Sequence, residues 1–318
     1  MAQDNTKKQT IAEPKTASGP VLKWAGGKGR LLPDLTKNFP KELLSGEIDT
    51  YIEPFVGGGA VFFEIYNNYS FKKAYLYDIN PELIILYNSL KQDVDRVIDE
   101  LRPMEAEYHS KATHEERTEV FYAVRSQYNE EVAATHKAVH HTPFNARRAA
   151  MTIFLNRTCF NGLFRVNRKG GFNVPHGKWP SVPNILFEDK LRAASEALQN
   201  AEVLLGDFSQ CEQHINGKTF IYFDPPYRPL NVTSGFTSYS KEDFNDEDQA
   251  RLAEAYRKHD KAGVLQLMSN SDPFSFNEDS FFEDLYKDFT INRIDAARSI
   301  NSKGNGRSKI KEILVRNY

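Results

Sequence analysis

The chain has 318 residues, 40% of them hydrophobic, enough for one large α/β domain with an insertion or for two domains. Its 41 basic and 43 acidic residues leave a formal net charge of −2, and its two cysteines exclude a disulfide scaffold or a Cys-rich zinc framework and suit a reducing cytoplasm. No apolar run reaches membrane-spanning length, and residues 1–18, polar and without the apolar segment of a signal peptide, read as a disordered leader.

Leu22-Lys23-Trp24-Ala25-Gly26-Gly27-Lys28 precedes the first strand-like run. It is no P-loop, because Lys28 is followed by Gly and position 22 is Leu. Taken alone it reads as a capped helix start with Trp24 in the core. The run Thr50–Glu53 then leads into Glu53-Pro54-Phe55-Val56-Gly57-Gly58-Gly59-Ala60, where glycines allow a tight turn and close approach of a ligand. The next strand-like run, 74–77, ends on Asp78, the position from which a carboxylate grips a ribose diol. The same spacing fits a dinucleotide-binding enzyme, so both readings stand at this point. Asn80 and Pro81 then predict the N-cap and first residue of a helix over 81–87.

From 92 to 199 the pattern changes, helical at first and then basic, as expected of an inserted second domain. Between Glu131 and Glu188 there is no acidic residue, while Lys137, Arg147, Arg148, Arg157, Arg165, Arg168, Lys169 and Lys178 fall in that stretch. Ordinary surfaces intersperse the two signs, so this one reads as a footprint for phosphates. Within it, 163–166 and 172–174 flank the turn Arg168-Lys169-Gly170-Gly171 and predict a β-hairpin.

Strand-like runs resume at 203–205, shortly before Asp207-Phe208, and at 220–223, 264–268 and 313–315. A helix over 247–259 puts Leu252, Ala255, Tyr256 and His259 on one core-facing side. Alternating strands and helices predict a doubly wound α/β sheet built from 19–91 and 200–318, interrupted by the insertion 92–199. The run 220–223 is stopped by Asp224-Pro225-Pro226-Tyr227, since two prolines offer no N–H to a ladder. An acid, free carbonyls and an aromatic ring are thereby held at the carboxyl edge of the sheet, where open α/β folds bind ligands.

That tetrapeptide resembles the DPPY motif of DNA amino-methyltransferases. With the 22–28 segment, the glycine turn, the stretch Asn156-Arg157-Thr158-Cys159-Phe160-Asn161-Gly162-Leu163-Phe164-Arg165-Val166-Asn167 and Gly171-Phe172-Asn173-Val174-Pro175, it looks like the Dam and DpnM type of adenine-N6 methyltransferase. This is the D12 class with α-group motif order, and the likeness runs from about Val21 to Tyr318. Thr158-Cys159-Phe160 and His176-Gly177-Lys178-Trp179 depart from the Dam pattern.

The resemblance implies a Rossmann-like S-adenosylmethionine-dependent sheet with an inserted, mainly helical target-recognition domain. Trp24 and Lys28 would flank the cofactor, Phe55, Gly57 and Gly59 would form its turn, and Asp78 would hold its ribose. Asp207 and Phe208 would lie beside its adenine, with Asp224 at the reacting end. The exocyclic amine of adenine is a poor nucleophile because its lone pair is delocalised. Asp224 and the Pro225 carbonyl would each accept one N6 hydrogen and aim the lone pair, while Tyr227 stacks on the flipped base. On duplex DNA, within GATC, Arg165 would fork onto a guanine and Lys23 would touch the other. Leu163 and Pro175 would meet the thymine position, Asn161 would lie where the base leaves the stack, and Asn167 and Lys178 would complete the DNA-facing set. No metal is required, and the sequence leaves protein partners open. Methylation of cytosine N4 or of RNA, a nucleotide-binding oxidoreductase and a non-catalytic DNA-binding module are the competing readings. Asp224 favours adenine over the N4 enzymes, which usually carry Ser there.

Overall fold

Alternation along the central strands decides the architecture. In the computed structural model, which describes residues 17–230, 244–296 and 310–318, Phe220 and Tyr222 belong to one apolar cluster while Ile221 and Phe223 belong to another. Tyr51 and Ile52 divide in the same way, as do Leu76 and Tyr77. Successive strand side chains point to opposite faces, so each strand serves two cores and the sheet must be covered on both sides.

The short helices α1 (Leu32–Thr36) and α2 (Lys41–Leu44) precede β1 (Thr50–Glu53), followed by α3 (Ala60–Asn68), β2 (Lys73–Asp78) and α4 (Pro81–Gln92). The insertion supplies α5 (Val94–Ser110), α6 (His114–Glu130), α7 (Val132–Ala138), α8 (Ala146–Thr158) and α9 (Glu188–Leu198). The chain then returns through β3 (Ala201–Leu205), β4 (Thr219–Phe223), α10 (Asp246–Lys261), β5 (Leu265–Ser271), α11 (Pro273–Asn277), α12 (Phe281–Leu285), β6 (Thr290–Ala296) and β7 (Ile310–Arg316). The sheet order is β3-β2-β1-β4-β5-β7-β6. β1 to β5 are parallel, and β7 is antiparallel to both β5 and β6. Strand order reverses between β1 and β4, which places a ligand crevice at their carboxyl ends. This is the Rossmann-like methyltransferase sheet expected from the sequence.

The helix 81–87 is longer than predicted, but it starts as its caps dictate, with Asn80 accepting from the Glu82 amide and Pro81 next. Leu252, Tyr256 and His259 are buried on α10, as its pattern requires, and Ala255 packs against the same cluster. β5 outlasts its apolar run through Ser269, Asn270 and Ser271, whose polar side chains are buried.

Two expectations need correction. The edge strand β6 was not predicted, because Asn292, Arg293 and Asp295 break the apolar pattern. The expected β-hairpin is a short pairing rather than a regular ladder: Val166 faces Phe172, and beyond it Cys159 faces His176, each as an isolated bridge. The Asn167 amide donates to the Gly171 carbonyl (2.8 Å) and the Asn173 amide to the Arg165 carbonyl (3.0 Å), and side chains of α6 satisfy the backbone groups that face away from this pairing. Asn129 accepts from the Phe172 N–H (2.7 Å) and donates to its carbonyl (3.0 Å), and Arg125 donates to the Val174 carbonyl.

One continuous core runs from the sheet through α4 into α5, α6 and α8. At its centre, Arg148 of α8 is fully buried, forked onto Glu82 of α4 at 2.9 and 2.6 Å, and also donates to the Tyr128 carbonyl. Burial alone would raise the Glu82 pKa, but His136 and Arg148 outweigh it and hold the carboxyl below its ordinary range. The expected leader lies outside the described residues up to position 16. Ser18 is buried, and its hydroxyl donates to Asn67 at 2.8 Å. No helix among the described residues is long and apolar enough to cross a membrane.

Candidate active site

All five residues of β4 are buried, and Asp224 is the first beyond it. Its Oδ1 forms an ion pair with Lys28 Nζ (2.7 Å) and accepts from the Ser269 hydroxyl (3.1 Å), which in turn contacts the Tyr222 hydroxyl (2.8 Å). Oδ2 accepts no hydrogen bond from any described residue. One oxygen is thus saturated and the other remains an acceptor. Burial raises the Asp224 pKa; Lys28 and Ser269 oppose that rise without cancelling it.

The tetrapeptide is braced from behind. Gln249 donates to the Pro226 carbonyl (3.0 Å) and accepts from Asn270 (3.1 Å), whose own oxygen receives the Arg228 amide (3.2 Å). The Arg228 side chain forks onto Asp246 and pairs with Asp279. Tyr227 donates to Glu312 of β7 at 2.6 Å, and Lys28 Nζ sits 4.6 Å from its ring centroid. No described residue donates to the Pro225 carbonyl. Lys28, expected beside the cofactor, therefore stands at the reacting end of the site, against Asp224 and Tyr227.

The other strand ends line the same edge. Glu53 closes β1, buried, with the Tyr51 hydroxyl donating to it at 2.6 Å; burial pushes its carboxyl up to about 8 despite that hydrogen bond. Gly57 and Gly59 are left-handed, and a Cβ at Gly57 or Gly58 would come within 3.0 Å of Trp24. Asp78 ends β2, accepting from the amides of Gly57 and Asn80, each at 2.9 Å. Burial pushes it up to about 6 against those bonds. A carboxylate has roughly four acceptor sites, so two remain for a diol. Asp207 is half-buried; burial favours its neutral form, but the forked Arg251 (2.8 and 3.1 Å) and the Ser209 amide prevail and hold its pKa down. Phe208 is buried between Phe55 and Phe244, with the Arg251 guanidinium 4.3 Å from its ring centroid. A row of acids with spare acceptors beside aromatic rings fits a cationic sulfonium nucleoside. Among the described residues no cluster of three or more His, Cys, Asp or Glu could hold a metal.

The loop 22–28 joins this crevice to the basic insertion. Lys28 meets Asp224, Trp24 lies against the glycine turn and stacks on Phe164 (5.2 Å, 29°), and Lys23 reaches over Trp179 (4.9 Å). Asn161 is exposed and left-handed at φ 58°. Arg165 is exposed, its Nε held by Asn173 (2.7 Å), while Pro175 and Lys178 are exposed and Leu163 is half-buried. The side-chain oxygen of Asn167 is committed to the turn, accepting from the amides of Lys169 and Gly171. Both cysteines are buried, with thiols pushed up to about 12 chiefly by burial, which leaves them unreactive. Sequence reasoning passed over Glu53, Ser269, Gln249, Asn270, Arg251 and Glu312. Only Glu53, standing at the head of the glycine turn, carried a readable signal.

Residues 24–300 match the family profile of the D12 class N6 adenine-specific DNA methyltransferases. The chain is 47% identical over 300 residues to the Type II methyltransferase M.MjaIII of Methanocaldococcus jannaschii, covering 94% of this chain and 99% of that protein. It is 36% identical over 301 residues to the Type II methyltransferase M1.LlaDCHI of Lactococcus lactis subsp. cremoris, covering 94% and 95%. Against the DNA adenine methylase of Escherichia coli it is 35% identical over 296 residues, covering 92% and 93%.

Proposed function

Because the chain belongs to the D12 class of N6 adenine-specific DNA methyltransferases, we propose that it methylates a flipped-out adenine in duplex DNA within GATC, in the cytoplasm, with Asp224 as the residue that activates the amine. S-adenosylmethionine, the methyl donor of this class, supplies an electrophilic methyl group on a sulfonium. The geometry that carries the reading is the asymmetry of Asp224. With Oδ1 taken by Lys28 and Ser269, Oδ2 is the oxygen that accepts one N6 hydrogen. The Pro225 carbonyl accepts the second, and the nitrogen lone pair then points across the crevice.

As the N–C bond forms, positive charge develops on N6 and a proton must leave. Asp224 stabilises that charge, and its raised pKa makes it the better acceptor for the proton. Tyr227, its hydroxyl anchored by Glu312, offers a ring face for the base. Trp24, Phe55, Gly57, Gly59, Asp78, Asp207 and Phe208 hold the cofactor. Lys23, Asn161, Leu163, Arg165, Pro175 and Lys178 face the DNA, and Asn167 shapes the turn that presents them.

Asp224→Ala tests the assignment. Methyl transfer should vanish while binding of target DNA and of the demethylated cofactor persists. Turnover surviving in the variant would remove Asp224 from the mechanism.

A further inference from the structure

We propose that Asn156, together with Gly162, is a positioning device that seats Lys23 for target reading. Asn156 is fully buried near the end of α8, and its side chain accepts from the Lys23 amide (2.8 Å). It donates to both the Lys23 carbonyl (2.9 Å) and the Gly162 carbonyl (2.9 Å). One amide thus fixes the backbone of Lys23 on both sides and ties it to the residue that follows the exposed, left-handed Asn161. Gly162 completes the seat. Its φ is +66°, and a Cβ there would lie 2.4 Å from Cδ of Lys23, so the lysine stem runs across the place where a side chain would be. Beyond it the ammonium rests over Trp179, whose indole donates to the Thr158 carbonyl at the end of the same helix.

Neither Asn156 nor Gly162 reaches the surface that DNA would touch. They act through Lys23, whose flexible stem would otherwise sample many rotamers. The inference rests on the reading that Lys23 contacts a guanine, and it predicts an effect confined to that base pair.

The test uses the full chain with Asn156→Asp, Gly162→Ala and Lys23→Ala, assayed on the methylated target duplex and on duplexes with each base pair replaced in turn. Aspartate keeps the acceptor for the Lys23 amide but sets a carboxylate oxygen against two carbonyls. In Gly162→Ala the Asn156 amide is intact, while the added methyl displaces the lysine stem and strains the left-handed backbone locally; with an unchanged kcat as its folding control, this variant decides the matter should Asn156→Asp fail to fold. Both should raise the KM for DNA by roughly tenfold and erode discrimination at the one base pair that Lys23→Ala also affects. kcat, discrimination elsewhere and cofactor affinity without DNA should stay within about twofold. Even loss of discrimination at every position would mark a merely structural role and overturn the inference. Discrimination kept in both variants but lost in Lys23→Ala would overturn it alone. Lys23→Ala with an unchanged profile would overturn the Lys23 reading and this inference together.

Discussion

Asp78 faces two opposing demands. Burial raises its folded pKa to about 6, above the ordinary value of 3.8, whereas acceptance from ribose hydroxyls needs the charged form. A raised folded pKa means that its contribution to stability is fully present below the unfolded value and is lost as pH rises through about 6. Cofactor affinity must run the other way, falling by about tenfold per pH unit below that point and levelling above it. Calorimetric titration of the demethylated cofactor across this window checks the sign, and Asp78→Asn should flatten the profile. A flat profile in the unsubstituted protein would remove Asp78 from the ribose. Asp78 and Asp224 were legible because each ends an apolar run. Ser269, Gln249, Asn270 and Glu312 were not, because a polar residue within a strand or helix shows its purpose only when a distant partner is brought against it.

Among elements, α4 decides how the insertion is held. Its first turn carries Glu82 shortly after Asp78, and Glu82 is bound by Arg148 and His136 from two insertion helices. Arg148→Met would leave a buried carboxylate without its fork and should cost about 3–5 kcal/mol in chemical denaturation. A loss within the range of an ordinary surface change would show the pair to be dispensable. The recognition segment illustrates what sequence pattern can and cannot deliver. Its basic turn was readable. Its hairpin is realised as a short pairing, closed by the Asn167 amide on the Gly171 carbonyl and the Asn173 amide on the Arg165 carbonyl, while Asn129 and Arg125 hold the outward-facing backbone groups of Phe172 and Val174. Arg165 stands exposed with Nε fixed by Asn173, and a guanidinium has two further nitrogens with which to fork onto a base. Arg165→Ala should lose about 1–3 kcal/mol of discrimination at one guanine, measured by competition binding with single-base replacements. An unchanged preference would move target reading elsewhere in the insertion.

Across the whole molecule, a nearly neutral net charge conceals a division of labour. Acids gather at the ends of β1, β2, β3 and β4, where a cationic cofactor belongs, and the stretch between Glu131 and Glu188 has none. The doubly wound sheet followed from the alternation of strands and helices, its strand order being visible only in the structure, and β6 escaped because it is recognisable only through its pairing with β7. Loop 22–28 touches Asp224, the glycine turn and Trp179 of the basic insertion, and on the proposed function these three contacts would couple chemistry to target reading in one short segment. The most direct measurement is modified-base sequencing of unmethylated plasmid DNA treated with the protein and S-adenosylmethionine. N6-methyladenine confined to GATC is the expected result. The same mark in another short sequence would contradict the reading of the recognition segment, and no methylated adenine at all from folded protein would contradict the activity itself.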